Sequence, residues 1–566
     1  MIHFIKKIIS ALFGMVPCTD SEKHGLPYRL CVFFWTFFIL STLFMPFCFF
    51  HGFPLPLGEH SVFRMKDLRK LFELSFTLFI LGAVVHPRRR EVFALLKKKA
   101  EAIAESKQTI WILAGVYFFL FLWQQATKVF ALEINFIPFL FFDYMLWYFN
   151  QAKFCFTGLL HGFYHLNLIL LLLFPIWKIF KSPWLLHITE PLIASFAVVP
   201  FYLWAKDHMK NGLLALTAAF VYLNFRYLQN VLMINFVVEV FYPLFIFSAV
   251  YFASGKKEIL YYLSILLGFL VKEDSAIYFG ALGAFFLFLP GYRRRGWLTI
   301  TLSIIYPIFL LKFWLPWSGN TILKDDLRNY AGHGRGLVEI VFNFLKTPWV
   351  FVHGLFLPVE KTRTLFKLTS RLLFFPLLSP WFLLVIVSLY PVFFQSSGDN
   401  NYFYSLSFHY AAAVLPFVFL AFVDGWKRIE QTNFFQKKSW LRPSVIFALI
   451  LFNGMNLRPL HFTWDDLKTI RLAKTLPPDK IVVAQGHLVP YLGYRKWNFY
   501  ISDQYGIRKD TREAYLNPDY FLFDFKANAY PLTPEELRAK AEVLKKDGRW
   551  RVFFEDDRRL LLKKKI

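Results

Sequence analysis

Residues Phe141 to Pro175 read FFDYMLWYFNQAKFCFTGLLHGFYHLNLILLLLFP and set one carboxylate, Asp143, in a bed of aromatic rings between apolar spans. A charge at a hydrocarbon boundary costs several kcal/mol to desolvate, so it reads as a functional candidate whose partner has to be found. Outward from this stretch the chain repeats apolar runs of roughly 17–25 residues, the length a helix needs to cross a bilayer. These runs show no apolar/polar alternation, which excludes a transmembrane β-barrel. Of 566 residues, 57% are hydrophobic and 20% aromatic, and the mean hydropathy is +0.43. Soluble domains do not have that composition. The fold class is an all-α polytopic membrane protein of roughly a dozen transmembrane helices with a small C-terminal soluble α/β domain.

The formal net charge of +26 raises the question of nucleic acid. The basic residues sit mostly in short connections between apolar runs, where membrane topology places them, so no nucleic-acid partner is expected. Membrane lipid is the partner that the same distribution implies. The four cysteines, Cys18, Cys31, Cys48 and Cys155, form no C-x-x-C pair and no disulfide framework. The N-terminal MIHFIKKIISALFGMVPC has a basic start but no small-residue cleavage site, and reads as an uncleaved amphipathic segment lying at the interface.

Topology follows from the densest basic run of the membrane part, PRRREVFALLKKKAEAIAESK at Pro87 to Lys107. The positive-inside rule makes it cytoplasmic, so the spans Tyr28 to Phe50 and Leu71 to Val85 start and end inside. The span Ile110 to Leu132 then leads out, which places Asp143 on the outer face of the cytoplasmic membrane. The aromatic segment 136–165 should lie along that interface; if helical, it puts Asp143, Trp147, Asn150 and Phe154 on one face and His161 and His165 on another. His165 to Phe180 is expected not to cross. With that register the basic connections AKDHMK, GKKE and GYRRRG all fall inside, while Asn224 to Glu239 and Lys272 to Asp274 fall outside with Asp143. Two spans around a Ser379-Pro380 turn, one from His409 to Val423 and one from Pro443 to Met455 complete the bundle. Three regions result: an N-terminal extension of residues 1–108, a transmembrane core of 109–456 and an outer α/β domain of 457–566. In the last, KIVVAQ and YFLFDF read as strands, TPEELRAKAEVLKKDG as a capped helix and RWRVFFEDDRRLLLKK as a hairpin. The terminal KKKI is expected to be a solvated strand end.

Candidate chemistry collects on the outer side. Asp143 has two readings: an interfacial ion pair with a residue such as Lys153, or a group that takes a proton from an acceptor or helps hold a divalent cation. His161 and His165 have helical spacing but no HExxH and no third ligand, so no metal site is assigned. Lys272-Glu273-Asp274 interrupts apolar runs on both sides; it is either a solvated turn or a contact for an anionic lipid group. Glu239 and Arg226 are weaker candidates, and His409-Tyr410 is either an aromatic anchor or a cap on the same cavity.

In order along the chain, Phe142-Asp143-Tyr144-Met145-Leu146-Trp147, His165-Leu166-Asn167, FLVKEDSAIY, Ser379-Pro380 and FHYAAAVLPF resemble the bacterial membrane proteins grouped as domain-of-unknown-function family 2079. The resemblance runs from about Phe136 to the C-terminus. That family is similar to the GT-C glycosyltransferases, which take a sugar from a polyprenyl-phosphate donor and use an acidic residue of the first outer loop as base or metal contact. The resemblance implies a polyprenyl-phosphate-linked sugar as donor, Asp143 as catalytic base, and His165, Glu239, Lys272, Glu273, Asp274, His409 and Tyr410 as substrate-binding residues. The chain departs from the family's Phe-His-x-Glu pattern, with Phe236-Val237-Val238-Glu239 in its place. A lipid or glycolipid transporter, a non-catalytic lipid binder and a membrane scaffold are the other readings. A continuous polar path through the bundle would favour the transporter, and a closed cavity the enzyme.

Overall fold

The computed structural model describes residues 19–23, 25–51, 54–56, 62–64, 68–133, 142, 146, 166–234, 236–314, 316, 333–334, 337–394, 401–458, 462–493, 498–500, 517–527, 529 and 532–565. Asp143, His161 and His165 lie outside them, as do the first 18 residues and most of the 136–165 segment. The N-terminal part forms α1 (Leu26–His51), a short hairpin of β1 (Pro54–Pro56) and β2 (Val62–Arg64), α2 (Leu68–Val85), and the basic helix α3 (Arg89–Glu105). Helix α1 packs along α2, and Gly82 is what permits it: a Cβ there would stand 2.2 Å from the Trp35 ring. The core follows as α4 (Thr109–Phe130), α5 (Leu170–Phe180), α6 (Trp184–Phe196), α7 (Val198–Met209), α8 (Gly212–Asn224), α9 (Arg226–Leu232), α10 (Phe241–Ser254), α11 (Glu258–Phe269), α12 (Ser275–Leu287) and α13 (Arg293–Phe309). It continues through α14 (Leu337–Lys346), α15 (Pro348–Phe356), α16 (Val359–Ser370), α17 (Phe382–Phe393), α18 (Leu415–Glu430) and α19 (Leu441–Phe452).

Among the described residues, five helical stretches are long and apolar enough to cross a membrane: Leu26–Pro46, Thr109–Phe130, Trp184–Met209, Arg293–Phe313 and Phe408–Glu430. Seven more apolar helices have 10–17 residues. The expected span Leu71 to Val85 is the 18-residue α2, whose first turns carry Arg69, Lys70 and Glu73, and it is not among the five. Helix α5 has 11 residues, about 16 Å at the α-helical rise and about half a hydrocarbon core. The region around Ser379-Pro380 corrects the expectation of two spans. Before the turn lie the amphipathic α16, sequence VEKTRTLFKLTS, and a four-residue 3-10 turn, Phe375–Leu378; only α17 after it is an apolar helix. Three charged residues of α16, Glu360, Arg363 and Lys367, are at least partly exposed and give it a polar face that hydrocarbon would not accept.

The bundle centre is aromatic. Phe201, Tyr222, Phe225, Phe247 and Phe419 come from four helices and one connection, pack edge-to-face or tilted with centroid separations of 4.7–5.8 Å, and are fully buried. Helix α18 is buried along most of its length, and it runs so close to the 3-10 turn that a Cβ on Gly425 would stand 1.9 Å from the Phe375 carbonyl.

The C-terminal part adds α20 (Trp464–Lys474), β3 (Val482–Ala484), β4 (Asn498–Tyr500), β5 (Tyr520–Asp524), α21 (Pro534–Lys546), β6 (Trp550–Glu555) and β7 (Arg559–Lys564). The strands form a five-stranded mixed sheet in the order β4-β3-β5-β7-β6. Thr533 closes the start of α21 with a capping box to Glu536, as the sequence leads one to expect. Buried Leu132, just past α4, joins the apolar layer beneath the sheet, and the Tyr491 hydroxyl donates to the Val129 carbonyl at 2.5 Å. The sheet therefore sits over the C-terminal end of α4.

Candidate functional site

After α9 the chain runs extended through Val237 and turns as a 3-10 helix, Val238–Val240, into α10. Val237, Val238 and Val240 are buried, which fixes the turn and leaves Glu239 just before the positive end of α10. Its side chain is only 10% exposed, and it faces two bases from distant parts of the chain. Lys272 Nζ, between α11 and α12, stands 3.1 Å from Glu239 Oε1, and His409 Nε2, in the turn before α18, stands 3.7 Å from the same oxygen. Tyr410 packs its ring on His409 at 4.2 Å, and Phe403 packs on Tyr410 at 4.9 Å.

The acidic members of the triplet beside Lys272 are used differently. Glu273 Oε2 accepts the Leu166 N–H at 3.0 Å, while Asn167 Nδ2 donates to the Val271 carbonyl at 3.0 Å. Together they fasten the chain entering α5 to the α11–α12 connection. Asp274 accepts from Tyr242 and, at 3.2 Å, from the Tyr278 hydroxyl. Of the three, Lys272 is the one aimed at Glu239. The triplet forms the half-exposed turn between α11 and α12, and all three side chains have partners within the protein. Among the described candidates the structure brings Glu239, Lys272, His409 and Tyr410 together, with Glu273 and Asp274 bracing them. Arg226 is exposed and is not part of this cluster. Asp143 and His165 are outside the described residues; the neighbouring Phe142 ring lies edge-on to Phe236 at 5.4 Å, three residues before Glu239.

A second buried polar group lies behind this cluster. Gln125 of α4 donates to Glu190 Oε2 of α6 at 2.7 Å and to the Leu232 carbonyl, and Lys128 and His187 are buried nearby. Glu190 also meets the backbone of Val237. Sequence reasoning missed these residues although the signal was present: Lys128 and Glu190 are charges inside apolar runs, the same anomaly that singled out Asp143.

At the other end of the helices stands a third group. Asp424 of α18 meets His208 Nε2 at 3.0 Å, accepts from the Ser379 hydroxyl at 2.7 Å, and accepts from Arg428 Nε at 2.9 Å. It borders an open cavity of about 620 Å³ walled by Trp204, Trp381, Phe285 and Tyr292. Basic connections gather here: Lys206 pairs with Glu105 at 2.8 Å, Arg295 with Glu258, and Arg442 with Glu430. Asp424 lies within α18, and two of its partners, His208 and Ser379, are far away in the chain.

A family model described as "predicted membrane protein (DUF2079)" matches residues 156–561, from before α5 to within β7. No curated protein matches the chain.

Proposed function

The chain belongs to the DUF2079 family of predicted membrane proteins, and from that premise we propose that it is a membrane glycosyltransferase of the GT-C kind. It would move a sugar, with inversion, from a polyprenyl-phosphate donor to an acceptor at the outer face of the cytoplasmic membrane. The supporting observation is the convergence of Lys272 and His409 on the buried Glu239. Lys272 and His409 would take the donor phosphate and Glu239 the sugar hydroxyls. In the reaction the acceptor oxygen bonds to the anomeric carbon, its proton passes to Asp143, and the anomeric C–O bond breaks to release polyprenyl phosphate. Because Glu239 already holds Lys272, donor binding has to compete with this ion pair; Glu239→Gln should raise affinity for the phosphate.

A transporter would need a polar route between the two ends, and the five-ring aromatic centre stands where that route would pass. This observation ranks transport below transfer. The test is transfer in vesicles loaded with polyprenyl-phosphate-linked sugar. Asp143→Asn should bind donor and lose transfer, whereas normal transfer by that variant would remove Asp143 from the mechanism.

A further inference from the structure

Three arginines from separate elements converge away from the Glu239 cluster. Residues 453–456, just past α19, tie their surroundings together. Asn453 Nδ2 donates to the Arg371 carbonyl at 2.8 Å, and Asn456 Nδ2 donates to the Asn224 carbonyl, two residues before Arg226, at 2.7 Å. Gly454 is pressed on Phe72, one turn after Arg69; a Cβ there would stand 2.5 Å from that ring. Arg69 and Arg226 lie within electrostatic reach of Arg371.

Three guanidinium groups repel one another, and the counter-charge in place is small. Glu73 is the carboxylate beside them, and its Oε1 is taken by Arg69 Nε at 2.6 Å. Among the described residues neither Arg226 nor Arg371 makes an ion pair, and Arg371 Nη1 is fully buried with no hydrogen-bond partner. A buried guanidinium without an acceptor is costly, and an oxyanion that accepts from a planar fork is the ligand that relieves it. The backbone holds Arg371 in place, since Leu373 and Phe374, right after it, both adopt left-handed conformations, φ +54° and +60°.

We propose that Arg69, Arg226 and Arg371 bind the phosphate of an anionic membrane lipid at the seam between α2 and the core. The surroundings point to a lipid rather than a free ion. Leu74, Phe366, Phe374 and Phe452, each within reach in sequence of the elements that carry or frame the arginines, are exposed apolar side chains on which acyl chains would lie. The net positive charge of the cluster favours a headgroup without an ammonium. This site uses none of Glu239, Lys272 or His409, so it stands whether or not the chain transfers sugars.

The test is native mass spectrometry of the full chain released from nanodiscs containing equal phosphatidylglycerol and phosphatidylcholine. Wild type should retain phosphatidylglycerol preferentially, and Arg226→Gln and Arg371→Gln should each weaken retention about tenfold. Arg226 is exposed, so Arg226→Gln should unfold at the wild-type temperature and keeps the test readable if Arg371→Gln misfolds. Lys70→Gln, a neighbouring charge outside the cluster, should retain lipid normally. Unchanged retention in Arg226→Gln, or equal loss in Lys70→Gln, would overturn the site. Millimolar inorganic phosphate displacing phosphatidylglycerol completely in detergent would overturn the lipid assignment in favour of a free-phosphate site.

Discussion

The two ends of the helical bundle carry the same chemical parts in different arrangements. Each has a nearly buried carboxylate that meets a base and a histidine: Glu239 with Lys272 and His409 from other elements, Asp424 with His208 from α7 and with Arg428 one turn on along α18. Asp424 has both oxygens engaged at 2.7–3.0 Å, fronts an open cavity, and lies among basic connections. Glu239 Oε1 meets its two bases at 3.1 and 3.7 Å, and Glu239 lies at the end where the C-terminal sheet sits over α4. A carboxylate saturated by three partners is suited to holding helices in register. One whose bases stand farther off, at 3.1 and 3.7 Å, is suited to exchanging partners when a ligand arrives.

The largest effect should come from breaking the Glu239 end. Lys272→Met takes the ammonium away from a buried carboxylate, and should cost about 3–5 kcal/mol of stability in detergent unfolding; Lys272→Arg should recover much of it. A loss under about 1 kcal/mol would mean that water already reaches Glu239 freely. Next, Phe419→Ala in the aromatic centre should cost about 3–5 kcal/mol and leave a cavity between the ends. If vesicles with this variant leak small ions while wild type does not, the centre is the barrier that keeps the ends separate.

Asp424→Asn should cost less, about 1–3 kcal/mol, since Arg428 is half exposed and can turn to water. A cost equal to that of Lys272→Met would erase the distinction between the ends. The smallest effect belongs to the sheet, where partly exposed Asp556 pairs with the buried Arg559 three residues on. Burial works against the charge of Asp556, but hydrogen bonds from the Arg559 guanidinium and the backbone of Arg558 and Arg559 outweigh it, so its pKa is pushed down to about 2. A depressed carboxylate stabilises the fold above its unfolded pKa of about 3.9, and that contribution disappears as pH falls from about 4 towards 2. Hydrogen exchange at β6 and β7 should accelerate only in that window.

Composition and run length made the helical membrane class legible, and strand and capping patterns did the same for β3, β5, α21 and the β6–β7 hairpin. The Lys272 triplet was visible because charges inside apolar runs are costly wherever they occur. Its partner Glu239 was visible only as a weak candidate, because adjacency across 33 residues depends on how α10 and α11 pack. The meeting of Asp424, His208 and Ser379 was not legible: Ser379 read only as part of a turn, and the approach of three polar residues so far apart in the chain depends on how the helices pack. The second span expected near Ser379 failed for a related reason: Phe-rich segments read as crossings, whereas the preceding charges of α16 keep that stretch from entering hydrocarbon. Asp143, with which the sequence reading begins, lies outside the described residues and takes its chemistry from the proposal alone.

The central claim is that the Glu239 end, and not the Asp424 end, receives the phosphate of a polyprenyl donor. Binding of undecaprenyl monophosphate to the full chain in nanodiscs tests it most directly. The account predicts that Lys272→Gln weakens binding about tenfold or more, that Lys272→Arg retains it, and that Asp424→Asn leaves it unchanged. Unchanged binding in Lys272→Gln, or a loss in Asp424→Asn in its place, would contradict it.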